Sequence, residues 1–205
     1  LRIGAAPGVN LSLQRMLVEA GIDPEKNNVQ IMPIPGAAGP NVSFGLSAAK
    51  ALEAGTLDGF WANGMGCEVA VRRGVGTMVL DVRRGDGPTV ARHYTFSALV
   101  ATDKTITDNP AATRAAIRAL MKAHKALKQD PTRATAVGQK RFPASEAELI
   151  AELVRRDLPF YDPTIPQEKV ESMNRFAQDI GLLKAPAAYD QVVATRFSHL
   201  WNEPV

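Results

Sequence analysis

Short apolar segments alternate with amphipathic segments through the first half of the chain, and this alternation limits its fold more than any other feature. An apolar strand pattern at residues 2–5 is followed by apolar residues at helical spacing up to Ala20. The same order recurs at residues 28–52 and again at residues 58–73. Strands separated by single helices are typical of βαβ units, whose strands run parallel and whose crossovers are right-handed. The pattern therefore predicts an α/β fold with a mostly parallel sheet.

Beyond Asn109 the chain shows helical patterns alone. Pro110 stands at the first position of a helix that ends before Asp130, and Ser145 and Glu148 have the spacing of a capping box at the start of another helix. Two further amphipathic helices are expected at residues 166–180 and 189–201.

The two patterns predict where the chain divides. Strands are expected near residues 2–5, 28–33, 58–62 and 77–81, with a further strand at residues 94–102 that runs antiparallel to them. We expect an α/β lobe at residues 1–102 and a carboxy-terminal helical segment at residues 103–205 that packs separately.

Composition and charge exclude several classes of protein. With 45% hydrophobic and 22% charged residues among 205, the chain has the composition of an ordinary globular protein. No apolar run approaches the roughly 18 residues that a membrane-spanning helix needs, which argues against an integral membrane protein. The net charge of +3 comes from 24 basic and 21 acidic residues scattered along the chain, so no nucleic-acid partner is expected.

The sequence lacks the motifs of the common enzyme classes. It contains no phosphate-binding P-loop, no zinc-protease motif and no serine-hydrolase elbow, and His93, His124 and His199 are too scattered to suggest a metal site. No cofactor and no metal are therefore expected. Cys67 stands at the start of a short predicted helix, where it serves either as a reactive thiol or as a small buried side chain.

Three turns of small residues, each between a strand and a helix, are the candidate ligand-binding elements. They occupy residues 4–10, 35–41 and 61–66. Free backbone N–H groups at a helix start favour an anionic group, and in an open parallel sheet such turns share the edge where ligands usually bind. Tight turning alone also explains small residues at these positions. The candidate ligand-binding residues are Gly8, Val9, Asn10, Gly36, Trp61, Ala62 and Asn63.

Trp61 has two interpretations. It stacks on a planar or heteroaromatic ligand while Phe60, on the alternate face of the strand, belongs to the core, or Trp61 is the core residue and Phe60 the exposed one. The sequence leaves both open.

Several segments resemble a known family. They are LRIGAAPG at residues 1–8, ALEAGTLDG at residues 51–59 and the pattern NP-x(7)-RAL-x-KA at residues 109–123. They resemble the type II periplasmic binding proteins, within these the NMT1/THI5-like and SsuA/TauA-like branch. The resemblance implies a periplasmic or extracytoplasmic solute-binding component of an ABC importer, with a permease as partner. Its ligand would be small and anionic or heteroaromatic, in the class of nitrate, sulfonates, taurine and thiamine-precursor pyrimidines.

The resemblance also suggests which part of a binding protein this chain represents. Residues 3 to about 93 resemble the second lobe, so the chain is expected to be a fragment that lacks the first lobe, on which residues 103–205 would pack. Such a fragment is expected to bind ligands weakly and to self-associate through its helices. The turn at Gly8, Val9 and Asn10 resembles a ligand contact of that lobe, and the strand end at residues 61–63 resembles a second contact. Val9 and Asn10 stand where sulfonate and nitrate binders often carry a hydroxyl, which speaks against a sulfonate.

Two other functions fit the same resemblance less well. One is a THI5-like enzyme acting on a pyrimidine precursor, although this chain has only Cys67 where the fungal enzymes carry several cysteines. The other is the effector-binding domain of a transcription regulator, against which the helices after Asn109 argue.

Overall fold

The computed structural model describes residues 1–6, 8–38, 42–94 and 97–203. The chain forms two compact units, one of Leu1–Arg92 with Phe142–Leu153 and the other of His93–Arg141 with Val154–Val205. Within the described ranges, no helix has both the length and the apolar character needed to cross a membrane.

A parallel three-stranded sheet forms the centre of the first unit. Its strands are β1 (Arg2–Ala5), β2 (Gln30–Met32) and β3 (Gly59–Trp61), in the order β2-β1-β3. β1 pairs with both neighbours, so that Gly4 lies opposite Met32 and Phe60, and Ala5 lies opposite Trp61. The predicted α/β fold with a parallel sheet is confirmed.

Three helices accompany this sheet. They are α1 (Val9–Glu19), α2 (Phe44–Glu53) and α3 (Gly64–Arg72). Right-handed crossovers in the order β2-β1-β3 require α1 on one face of the sheet and α2 on the other. Phe60 packs against the two buried clusters that α2 and α3 contribute to, so the alternation of the strand turns Trp61 toward the α1 face. Phe60 is thus the residue that belongs to this core.

α2 and α3 pack against each other through two glycines. A Cβ added at Gly66 would lie 2.6 Å from the Cα of Gly45, and one added at Gly45 would lie 2.7 Å from the backbone of Gly66. Both glycines stand within the first turn of their helix. The two helix N-termini therefore lie side by side, with their backbones in direct contact.

The second unit contains helices, and no strand occurs among its described residues. Asn109 precedes Pro110 at the start of its longest helix, as predicted. The capping-box prediction is wrong, because the helix begins at Ala144 and Ser145 already lies inside it. The α-helices of the rest of the chain are α4 (Asp103–Asp108), α5 (Pro110–Gln129), α6 (Thr132–Gly138), α7 (Ala144–Asp157), α8 (Gln167–Asp179) and α9 (Tyr189–Val192), and Leu158–Phe160 and Thr195–Asn202 form 3-10 turns.

Two expected strands do not form. Residues 77–81 and the described part of residues 94–102 are outside any sheet, and residues 95–96 lie outside the described ranges. Val79 is 94% exposed and Val100 is 82% exposed, so neither segment meets a partner strand here. Apolar, β-branched sequence favours a strand only where a neighbour supplies hydrogen bonds and side-chain contacts.

The start of α7 packs with the first unit. Leu149 joins a buried cluster with Ala49, Val69 and Ala70 from α2 and α3, which places residues 142–153 with the sheet. The division of the whole protein at residue 102 stays a prediction.

An ion pair joins β1 to the segment just before β3. The Arg2 guanidinium donates to both carboxylate oxygens of Asp58, at 2.6 Å and 3.2 Å, and the Arg2 backbone N–H donates to Oδ2 at 2.7 Å. The side-chain hydrogen bonds from Arg2 are the largest cause that lowers the pKa of Asp58 to about 2. The pair thus holds the amino ends of these two strands together.

We expect Gly66→Ala to lower the free energy of unfolding by about 1–3 kcal/mol, because its Cβ would overlap the backbone of α2 and force the helices apart. The gain in helix propensity of about 1 kcal/mol does not offset a shift of both helices. Urea denaturation measures the change. Gly59→Ala is the control, since its Cβ meets open space. Equal stability of the Gly66→Ala and wild-type proteins would contradict the close packing.

The Arg2–Asp58 pair predicts a loss of stability in acid. The carboxylate has a pKa of about 2 in the folded protein and near 3.8 in the unfolded chain. Its contribution to stability is therefore complete above about pH 5 and is progressively lost as the pH falls toward 2. Thermal melts of wild type and Asp58→Asn should therefore differ at pH 6 and converge at pH 2. A constant difference across this range would show that Asp58 does not act through its charge.

Candidate ligand-binding site

The carboxyl ends of β1 and β3 form the topological switch point of the sheet. From Ala5 the chain turns into α1 on one face, and from Trp61 it turns into α3 on the other. Ala5 and Trp61 are paired, so the two turns begin side by side. Open parallel sheets bind ligands in the crevice that such diverging turns leave. The structure thus brings two of the three predicted turns, Gly8–Asn10 and Trp61–Asn63, to one place.

The first turn is built around Gly8. Its φ of 89° is a left-handed conformation that side chains other than glycine disfavour. The Gly8 N–H donates to Asn10 Oδ1 at 3.0 Å, and the hydroxyl of Ser12 donates to the Val9 carbonyl at 2.8 Å. The amide nitrogen of Asn10 has no partner within the described part of the chain. The side chain of Asn10 therefore presents unpaired amide N–H donors at this turn.

In the third turn, as in the first, an asparagine side-chain oxygen accepts a hydrogen bond from a nearby backbone N–H. Asn63 is the N-cap of α3, and its Oδ1 accepts a hydrogen bond from the Gly66 N–H at 3.1 Å. Ser43 caps α2, with its Oγ accepting from the Leu46 N–H at 3.4 Å. Because Gly45 and Gly66 hold the two helix starts together, the positive ends of two helix dipoles converge beside Asn63.

The second turn lies along α2. The carbonyl of Gly36 accepts a hydrogen bond from the Ser47 hydroxyl at 3.1 Å, which anchors the turn to the first turns of that helix. Gly36 is exposed. Residues 39–41 of the predicted turn lie outside the described ranges.

All seven predicted site residues reach solvent. Gly8, Gly36 and Asn63 are exposed, and the remaining four, Val9, Asn10, Trp61 and Ala62, are partly exposed. The surrounding sequence carries no charge, since residues 3–14, 27–49 and 59–67 contain no Lys, Arg, Asp or Glu. The polarity of this edge therefore comes from backbone N–H groups, asparagine amides and helix dipoles.

Two open grooves among the described residues do not include these turns. A groove of about 410 Å³ follows α5, and a smaller one of about 100 Å³ lies between Leu46, Val69 and Leu149. None of the seven predicted residues lines either groove. Among the described residues no three His, Cys, Asp or Glu side chains meet as a possible metal site.

Sequence reasoning missed the contact between Gly45 and Gly66. Each glycine stands near the start of a helix, and this shared position is the signal that marks them in the sequence. Neither glycine alone indicates the other as its partner, because 20 residues separate them.

Comparison with known protein families gives a match over most of the chain. A family model described as the NMT1-like family matches residues 5–139, which include the last residue of β1, all of β2 and β3, and all seven candidate site residues. No curated protein and no solved structure matches the chain.

The cap on α3 predicts how Asn63 affects stability. Asn63→Ala should lower the free energy of unfolding by about 1 kcal/mol, because the Gly66 N–H loses its acceptor. Asn63→Asp and Asn63→Ser keep an acceptor at the cap and should stay close to wild type. Chemical denaturation of the three variants compares them. An alanine variant as stable as the serine variant would show that Oδ1 does not stabilise the helix.

Proposed function

This chain belongs to the NMT1-like family, and on that premise we propose that it is the solute-binding component of an ABC importer. The proposed ligand is small and anionic or heteroaromatic, and the proposed partner is the membrane permease of that importer. Such a component works outside the cytoplasmic membrane, so a periplasmic or extracytoplasmic location is part of the same proposal.

One observation carries the proposal of an anionic ligand. The starts of α2 and α3 are in backbone contact at Gly45 and Gly66, and the turn at Asn63 lies beside them. Two helix N-termini at one edge favour negative charge, and no carboxylate in the adjoining sequence opposes it.

The asparagines support the same ligand class. The side-chain oxygens of Asn10 and Asn63 are engaged with backbone N–H groups, which leaves their amide N–H groups for a ligand. Donors without a nearby cation suit a small anion or a ring with acceptor atoms, such as nitrate or a pyrimidine.

Trp61 supports a planar ligand. It is partly exposed at the carboxyl end of β3 and is paired with Ala5, whose small side chain leaves room beside the indole. Stacking on an aromatic face stabilises a flat, electron-poor ring. We assign to Trp61 the role of a stacking platform and to Asn63 that of a hydrogen-bond donor.

The strand edge is proposed to work as one wall of a cleft. The two grooves found among the described residues do not include it. In the two-lobed binding proteins that the chain resembles, a ligand lies between lobes and their closure creates the surface that the permease recognises. Affinity for this wall alone is therefore expected to be low.

Cys67 favours a second candidate function, an enzyme acting on a pyrimidine precursor. It lies in the first turn of α3, where its backbone N–H donates to the Asn63 carbonyl at 3.3 Å, and its side chain is partly exposed. A thiol that reacts with iodoacetamide much faster than free cysteine would favour the enzyme, and slow alkylation would favour the binding protein.

A titration of nitrate, taurine, methanesulfonate and an aminopyrimidine into isotope-labelled protein tests the site. We expect amide chemical-shift changes confined to residues 8–10 and 61–66 for at least one ligand, with weak affinity. Asn63→Asp keeps the cap and adds a negative charge. It should therefore weaken the binding of an anion by about tenfold, or roughly 1.4 kcal/mol.

Asn27→Asp is the matched control for this titration. The Asn27 Oδ1 also accepts a backbone hydrogen bond, from Asp23 at 3.1 Å, but the residue precedes β2 at the other edge of the sheet. The Asn27→Asp variant should bind each ligand with the affinity of the wild-type protein. Shifts spread over the surface, or an equal loss in both variants, would overturn the assigned site.

A further inference from the structure

Helix α5 concentrates positive charge. Between Pro110 and Gln129 it carries five basic residues and no acidic one: Arg114, Arg118, Lys122, Lys125 and Lys128. A chain with nearly balanced charge overall thus places a one-signed surface on a single helix of 20 residues. With no carboxylate in the helix, no pairs at i,i+4 can neutralise these cations from within it.

Three of these cations form one ridge beside a groove. Arg114, Arg118 and Lys122 are spaced by four residues, which separates neighbours by about 6 Å along the helix axis. The parallel row of Ala111, Ala115 and Ala119 leaves the groove of about 410 Å³ next to them. The small side chains let an approaching chain reach the cations closely.

The central cation already binds a carboxylate of this chain. Arg118 donates from Nε and Nη2 to the two carboxylate oxygens of Glu203, at 2.7 Å and 2.8 Å. Glu203 has an extended backbone, with φ −65° and ψ 131°. Within the molecule, the ridge therefore already holds one acidic side chain through a two-point, charge-assisted pair.

The two flanking cations remain available. Within the part of the chain that the structure describes, Arg114 and Lys122 make no ion pair or side-chain hydrogen bond. They stand eight residues apart, about 12 Å along the axis. Acidic residues four apart in an extended chain are separated by about 13 Å. An extended segment with carboxylates at that spacing matches both cations.

We propose that this face of α5 is a docking surface for an extended, acidic segment of a partner protein, whose carboxylates pair with Arg114 and Lys122 on either side of the Arg118–Glu203 pair. A membrane surface fits less well, because the row beside the cations consists of alanines rather than the large apolar side chains that insert into lipid. Single-stranded nucleic acid fits less well, because α5 contains no aromatic residue of the Phe, Tyr or Trp type for base stacking.

A labelled nine-residue peptide with glutamate at positions 1, 3, 5, 7 and 9 tests the surface by fluorescence anisotropy. We expect weak binding at low salt that is lost at high salt, and no binding of the same peptide with glutamine. The double variant Arg114→Glu, Lys122→Glu should weaken peptide binding at least tenfold, because it reverses both charges. The double variant Arg114→Gln, Lys122→Gln should weaken binding by a smaller factor, because it only removes them.

The control separates a defined surface from net charge. Arg175→Glu combined with Lys184→Glu changes the net charge equally at two exposed positions outside α5. This variant should bind the peptide like wild type. An equal loss in the control would overturn the proposal, as would preferential binding of anionic phosphatidylglycerol vesicles or of a single-stranded oligonucleotide. Circular dichroism melts establish that each variant is folded.

Discussion

The pairing of β1 with both of its neighbours is the constraint on which the α/β unit depends. This strand has four residues, yet it fixes the direction of β2 and β3 and brings the three carboxyl ends to one edge. Arg2 and Asp58 hold the amino ends together at the opposite side of the sheet. With the order β2-β1-β3 set, right-handed crossovers leave α1 and α3 to diverge from adjacent strands. The candidate site is a consequence of that divergence.

The chemistry of this edge comes from backbone groups more than from side chains. The Gly45–Gly66 contact places two helix N-termini together, and Asn63 and Ser43 each satisfy one N–H of the first turn. Such caps leave other N–H groups of the first turn unpaired within the helix. An edge of this kind favours a small anion without carrying a cation of its own, whereas α5 presents its charge on long, mobile side chains. The two surfaces therefore suit different partners.

Local patterns were sufficient to predict most elements. Alternation of strand, turn and helix predicted β1, β2, β3 and the first three helices, because local preferences mark these segments and each of the three strands also has a parallel partner. Pro110 marked the start of α5 correctly, since its ring favours the first helical position. The expected strand at residues 77–81 failed for a different reason. Strand formation there needs a partner that the described chain does not supply, and Val79 stays exposed.

Short-range spacing and composition are enough to predict the βαβ order, the uncharged turns and the helical second half. Which turns lie side by side depends instead on long-range contacts. The tertiary structure paired Ala5 with Trp61, packed Phe60 against the buried clusters at α2 and α3, and brought Gly45 against Gly66. These contacts join residues far apart in the chain, and their choice depends on how the crossovers and the helices pack together. For the same reason, local spacing places a row of cations on α5 but does not indicate that Glu203, 85 residues from Arg118, pairs with its centre.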